Sequence, residues 1–582
     1  MAEHSTTILI IDIGAVETTA TLLMHVDGRY ELTGQGVTNS TCYAPTFDVW
    51  HGCVSAIGKL EGRTQRLILA DDESVIHPTN LRGEGVDYVV VTTSSGPSLK
   101  LVAAGLLEDV SLKSCRRLAA SVGGRLVDQI SLTKGSAVDA HLDRALKTRP
   151  EIIVLAGGTE GGASRAVIKT AELIKAVCHL LPGSKRPAVL YAGNQAIADQ
   201  IKAMLDGQTE VITVANIRPS MEKESLSAAQ YALAEILAYI RTKQVGGLNR
   251  AAQNSVLPLL PTSFTFGRTM RLLSTYTVTE RNPVLGVSVE SNQTTLADAF
   301  RGSLRLDVLP YGTGTGVSML LENTRLEEIQ QWIASDLPSV MVRDYLHQKA
   351  LYPASVPIDQ ESLLIEQAMI RVILQLSMTH ARQLFEKPNN GFTRIVAAGN
   401  ALTNGPTIRH SLLMLLDGIQ PSGLTQFVLD EGQLMAAIGA AAAIDSAVPV
   451  HMLASSLFAE LGTVISPVSE EKIDRPIVHA KLQYQDGSDM TFEVKKGEIK
   501  VVPLQPRQEA ELEITALGRT WITENPLRTR LITSVVGGLC GLVIDGRGRP
   551  IYLPSNRDDL LFLQQTWRQQ IGISSQVMAG RQ

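Results

Sequence analysis

At 582 residues the chain is long enough for three or four domains, and 44% hydrophobic with 19% charged residues describes an ordinary globular composition with ample core, which excludes extended disorder. A formal net charge of −5 and a pI near 6.2 exclude the basic footprint of a nucleic-acid binder or of a protein held on an anionic membrane; no run of about 18 apolar residues predicts a membrane span, and no basic flank or cleavage site predicts a signal peptide. Five scattered cysteines (Cys42, Cys53, Cys115, Cys178 and Cys540) have no C-x-x-C or His-rich partner, which argues against structural zinc and for reduced thiols in a cytoplasmic protein.

The chain opens, over residues 7–23, on an apolar run that ends in Asp12, turns through Gly14 and re-emerges with Thr19, Thr21 and Leu23. Two strands joined by a tight turn are predicted. An Asp-x-Gly hairpin can hold Mg²⁺ and phosphate, because glycine lets the backbone approach an anion; equally it can be a plain hairpin with a solvated carboxylate. Residues 87–93 read as a strand, followed by a Ser94-Ser95-Gly96 turn and apolar residues at helical spacing over 99–107. That turn is either an anion-friendly edge or a helix cap.

Clear α/β alternation follows. Residues 112–120 are predicted helical and 151–155 a buried strand ending in Ala156-Gly157-Gly158-Thr159-Glu160-Gly161-Gly162, with a helix over 163–181 behind it. A strand over 187–191 ends in Ala192-Gly193-Asn194 and leads to another helix. Two such units predict a small parallel sheet with its ligand edge at the strands' C-terminal ends, although both Gly clusters are also explained by close helix–strand packing. G-x-G-x-x-G and the Walker A lysine are absent, so neither a dinucleotide site nor a P-loop is supported.

Residues 225–239 form an amphipathic helix, and 245–268 read as loops. Residues 284–295 give a strand, a polar turn and the start of a second strand; Tyr311-Gly312-Thr313-Gly314-Thr315-Gly316 is a Gly-rich loop that either approaches phosphate or merely connects. A helix over 360–386 precedes a strand over 393–397, the Ala398-Gly399-Asn400 turn and a further helix, and an Ala-rich helix covers 434–444. From about residue 473 apolar and polar residues alternate around turns at Asp486-Gly487 and Lys496-Gly497, which predicts a β-rich module closed by an amphipathic helix through Leu560, Phe562, Leu563 and Trp567. Asp545 and Arg547 flank a Gly turn and read as turn chemistry.

The order of pieces resembles the glutamate mutase L family, accessory proteins of adenosylcobalamin-dependent mutases with an actin/Hsp70-like ATPase fold. The resemblance covers residues 7–445 and rests on Asp12-Ile13-Gly14, the Ser94-Ser95-Gly96 turn with the Leu99-Lys100-Leu101-Val102-Ala103-Ala104-Gly105-Leu106 stretch, the AGGTEGG block from Ala156, Ala192-Gly193-Asn194, Ala398-Gly399-Asn400 and Ala436-Ala437-Ile438-Gly439-Ala440. It implies an α/β fold of duplicated actin-like (ASKHA, ribonuclease H-like) domains with an additional α/β region and a C-terminal β-rich module. The expected division is a first actin-like subdomain over 1–85, the α/β region over 86–215, the second actin-like half over 216–450 and the β-rich module over 470–582. Asp12, Gly14, Thr18, Gly314, Gly399 and Asn400 are the implied nucleotide-binding positions, and the implied role is reactivation or assembly of a cobalamin mutase.

The chain departs from that family at both phosphate loops. Where the family reads Asp-x-Gly-Ser-Thr-x-Thr-Lys, this chain has Ala15 and Val16 for the hydroxyls and Thr19 for the cation, and adds Glu17. The second loop corresponds to Ser288 to Thr295 or to a one-residue shift of it; in the first register the metal-proximal Asp is Ser288 and the Gly–Gly pair is Glu290-Ser291. A carboxylate pair is what holds the Mg²⁺–water shell, and added negative side chains repel a triphosphate. The expectation is a non-catalytic protein, with weak ATP or ADP and Mg²⁺ binding at best and an undetermined metal site. Its partners would be a cobalamin-dependent mutase or an active homologue. The alternatives are an active ATP-dependent reactivase or kinase with a rebuilt site through Glu17, Glu290 or Asp298, and an actin-like interaction protein unrelated to cobalamin enzymes.

Overall fold

The computed structural model describes residues 5–131, 138–276, 283–385, 391–523 and 529–573. The chain divides into two compact units, Met1–Thr265 with Leu306–Leu309 and Ala440–Ala447, and Phe266–Arg305 with Pro310–Gly439 and Val448–Gln582.

The strands of the first unit are, in chain order, β1 (Thr7–Ile13), β2 (Glu17–Val26), β3 (Arg29–Asn39), β4 (Tyr88–Thr93), β5 (Lys100–Ala104), β6 (Arg125–Ile130), β7 (Ile152–Leu155), β8 (Ala188–Tyr191), β9 (Val211–Thr213) and β10 (Leu260–Pro261). One sheet runs β10-β4-β1-β2-β3: the first three strands are antiparallel neighbours, and β4 and β10 lie parallel to β1 on its other side. Leu9, Ile11 and Ile13 with Ala20 and Leu22 line one face and bury Trp50, Cys53, Ile57 and Leu60 of α1 (Val49–Thr64), a stripe at helical spacing. Asp48 caps α1 by accepting from the Trp50 N–H at 2.9 Å. A Cβ on Gly36 would fall 1.9 Å from the Ala56 carbonyl, so that glycine sets how closely the helix approaches the strand.

The second sheet of this unit is wholly parallel, ordered β6-β5-β7-β8-β9, which in chain order is the doubly wound 2-1-3-4-5 arrangement. Residues 99–107, expected to be helical, instead contain the strand β5 over Lys100–Ala104. Leu99, Leu101 and Ala103 enter the core that includes Leu118 and Leu233, while Val102 and Ala104 enter the opposite core with Val167 and Ile174. A strand buried on both faces is a continuous apolar run, and that hides its period of two.

The later strands are β11 (Val284–Val289), β12 (Thr294–Phe300), β14 (Arg394–Ala398), β15 (Gly423–Leu429) and β16 (Ala459–Ser466) of the second unit, with β13 (Ser303–Leu309), of which Leu306–Leu309 counts with the first unit. Their sheet runs β13-β12-β11-β14-β15-β16 and is extended by Leu542–Asp545 and Ile499–Val502. The first five strands repeat the order β3-β2-β1-β4-β10: three consecutive strands side by side, then two strands parallel to the first. This repetition is the duplicated actin-like α/β architecture, with the doubly wound sheet added to the first copy and a β-rich region to the second. Residues 245–268, expected to be loops, contain the helices Leu248–Asn254 and the start of Thr262–Tyr276. The predicted helix over 360–386 spans Gln360–Leu384; Glu386 lies outside the described residues.

The C-terminal alternation forms a four-stranded antiparallel sheet in the order Asp489–Lys495, Pro476–Tyr484, Glu509–Ala516, Arg530–Val536, with Val478, Leu482, Leu512 and Ile514 facing its core. Asp545 and Arg547 are more than turn chemistry. Arg547 donates to Asp545 Oδ1 at 2.8 Å and Oδ2 at 2.9 Å and to Asp417 Oδ1 at 2.5 Å, while Arg371 donates to Asp417 Oδ2 at 2.6 Å and Arg549 to Asp545 Oδ2 at 2.8 Å. All five residues are buried or nearly so. Sequence could not reveal this, because Asp417 stands 130 residues from Arg547.

Candidate functional site

Asp12 sits at the carboxyl end of β1, and its Oδ1 accepts hydroxyls from Thr92 at 2.6 Å and from Thr262 at 2.5 Å. Burial pushes its carboxyl above the ordinary range, and the two threonines pull it partly back. The pleat of β2 places Glu17 and Thr19 on the Asp12 face, with Thr19 directly across the hairpin from Asp12. Thr18 lies on the other face, where its hydroxyl is buried without a partner and a Cβ on Gly52 would sit 3.2 Å from it. Thr18 therefore does not share a face with the carboxylate, because side chains alternate along a strand. The sequence does not mark Thr92 or Thr262: Thr262 lies in the stretch expected to be loops, and nothing local marks a residue that reaches a strand end from afar.

Gly14 closes the hairpin. Its N–H donates to the Glu17 carbonyl at 2.8 Å, and a Cβ there would lie 2.7 Å from that oxygen. The next turn is equally self-contained: the Ser94 and Ser95 N–H groups and the Thr93 hydroxyl all donate to the Ile13 carbonyl, at 3.0, 3.3 and 3.0 Å.

In the second unit Gly314, Gly399 and Asn400 gather around the end of β11. Gly399 has φ +88°, and a Cβ would fall 2.3 Å from the Val289 carbonyl, so only glycine fits there. Asn400 Oδ1 accepts from Gln433 at 2.5 Å, tying the ends of β14 and β15 together. Gly314 packs between the turn that joins β11 to β12 and the segment after the helix Ser339–Leu351: a Cβ there would lie 2.1 Å from Ser291 Oγ and 2.6 Å from Pro353 Cβ. The Gly-rich loop turns its amides inward: Thr313 donates to the Glu290 carbonyl at 3.0 Å, and Gly314 and Gly316 donate to the Ser291 carbonyl at 2.8 and 3.0 Å. Glu290 N–H donates to the Gln293 carbonyl at 2.9 Å. Asp430, behind β15, caps the helix Leu434–Ala441 by accepting from Leu434 and Met435, both at 2.8 Å, and burial pushes its carboxyl up to about 6.

A model of the MutL protein family matches residues 8–457. The chain belongs to the MutL family. Protein MutL of Clostridium tetanomorphum is 25% identical over 159 residues, 27% of this chain, so the chain spans 32% of that relative's length. Similar solved structures include a nucleotide-free acetone carboxylase (TM-score 0.35, 11% identity, 84% of this chain and 81% of that one). Others are the Acidaminococcus fermentans (R)-2-hydroxyglutaryl-CoA dehydratase component A (0.28, 8%, 75% and 96%) and a nucleotide-free diol dehydratase-reactivating factor (0.26, 10%, 68% and 92%).

Within this MutL-family chain the side chains at the two turns are Asp12 and Glu17 with Thr19 across the first hairpin, and Ser288, Glu290 and Ser291 at the end of β11, where the Ser288 hydroxyl donates to Glu290 Oε1 at 3.4 Å. Among the described residues no group of three or more His, Cys, Asp and Glu gathers as a metal site, and no helix is long and apolar enough to cross a membrane.

Proposed function

We propose that this chain is a non-catalytic accessory protein of an adenosylcobalamin-dependent mutase of the glutamate mutase type, its actin-like body serving as a scaffold rather than an ATPase. The observation that carries this reading is that backbone amides of both loops are taken up by protein carbonyls. The Gly14 amide is engaged by the Glu17 carbonyl within its own turn, and the Thr313, Gly314 and Gly316 amides are engaged by the Glu290 and Ser291 carbonyls of the turn between β11 and β12, so they do not face an anion. The accessory role is supported by membership of the MutL family and by the sequence resemblance over residues 7–445. Gly399 and Asn400, at the turn that corresponds to the adenosine side, remain the positions most suited to a residual nucleotide.

The second reading is an active reactivase, favoured by the Asp12–Thr92–Thr262 cluster, in which a carboxylate is held by two converging donors. Calorimetry with Mg·ATP and Mg·ADP, with phosphate release followed on the same sample, separates the two. No heat at sub-millimolar nucleotide and no turnover is expected; turnover abolished by Asp12→Asn would establish the active reading instead.

A further inference from the structure

The helix Ser339–Leu351 runs into a surface segment, residues 351–358, that turns its large apolar side chains outward. Leu351 is 74% exposed, Tyr352 69%, Val356 74% and Ile358 86%. The segment is nevertheless built to one shape. Tyr352 N–H donates to the Gln348 carbonyl at 2.8 Å, Ser355 N–H donates to the Tyr352 carbonyl at 3.0 Å, and Pro353 is packed on Gly314. The buried Lys349 donates to the Ser355 carbonyl and pairs with Glu366 at 2.6 Å, and Glu366 also accepts from Tyr345 at 2.9 Å. A buried lysine is costly unless it is paired, so a paired one that pins a surface turn marks a rigid presentation of apolar groups rather than a loose loop.

We propose that residues 351–358 form the two-fold interface of a homodimer. Together the four side chains leave on the order of 500 Å² of apolar surface in water, close to the apolar share of the roughly 800 Å² that one partner of a standard interface contributes. The segment contains no charged residue, so two copies meet across a two-fold axis without like-charge repulsion; Asp359 and Glu361 lie beyond its end. In an isologous contact the same patch serves on both sides, and Ser355 near its middle then faces its counterpart.

The test is sedimentation of the full chain from the low-micromolar range upward, alongside Val356→Asp with Ile358→Asp. Both side chains stand in water, so the double variant keeps its fold by circular dichroism. A wild-type dimer is expected, its dissociation constant raised at least about 100-fold in the variant. Under mild oxidation Ser355→Cys is expected to form a covalent dimer, and Ser184→Cys, another exposed position, is not. A wild-type monomer at every concentration overturns the proposal and leaves the segment to a different protein, and a dimer that the aspartates do not weaken overturns it equally.

Discussion

Thr262 places its hydroxyl 2.5 Å from Oδ1 of Asp12, across 250 residues of sequence. Together with Thr92 it makes the end of β1 a polar position whose burial is compensated by donors, not by a cation. The same two bonds serve a structural carboxylate and a catalytic one, and the surroundings decide which it is. Here Glu17 shares its face, and Thr19 stands where a lysine would neutralise it.

Thr262→Val leaves that carboxylate one donor short and is expected to destabilise the chain by about 1–3 kcal/mol at neutral pH. In an Asp12→Leu background the same change should cost much less, because nothing is then left unsatisfied. Urea denaturation of the four proteins reads the coupling; equal costs in both backgrounds would show that the hydrogen bond contributes nothing.

Ala15→Ser, Val16→Thr and Thr19→Lys together return hydroxyl donors and a cation to the first loop, with the lysine directly across from Asp12. Calorimetry is expected to detect Mg·ATP heat for this triple variant and none for the wild type. If the wild type binds as tightly as the variant, the loops are not what limits affinity.

Two buried groups titrate in opposite directions. Asp430 has its carboxyl pushed up to about 6 by burial, so the folded state binds the extra proton, and the stability this gives is full below about pH 4 and lost as pH rises through 6. His410 is pulled down to about 4 by burial and by Arg568 and Arg371, so its neutral form carries stability present above pH 6.5 and lost as pH falls through 4. Each is worth up to about 3 kcal/mol over that window, and the two slopes nearly cancel. Asp430→Asn is expected to make the chain more acid-sensitive between pH 6 and 4, and His410→Gln less so, measured by melting temperature at each pH.

Asp417 holds both Arg371 and Arg547, and burial alone would push Asp545 up had the guanidiniums of Arg547 and Arg549 not held its carboxyl well below the usual range. Removing one member strands the others in the interior. Asp417→Asn is expected to cost about 3–5 kcal/mol, and a chain ending before Asp545 to leave Asp417 paired with Arg371 alone, without Arg547, and to lower the melting temperature of the second unit. A surface-like cost below about 1 kcal/mol would show that water reaches the cluster.

The sequence by itself determined the strands and helices marked out by short apolar runs between turn residues or by helical spacing. β1 and β2, β7 and β8, β11 and β12, and the C-terminal hairpins all stand close to where their apolar patterns and turn residues put them. It also carried the family, because the Gly-bearing turns lie in order along the chain and each is a local feature. What only the tertiary structure decided is non-local. β5 is a strand because β6 and β7 pair along its two edges, and the separate cores on its two faces erase the pattern a half-buried strand would show. Thr18 faces away from Asp12 because the pleat, not proximity in sequence, sets direction. Thr262 reaches Asp12, and Arg547 reaches Asp417, because hydrogen-bond partners are chosen by packing, and the chain between them leaves no mark on either residue.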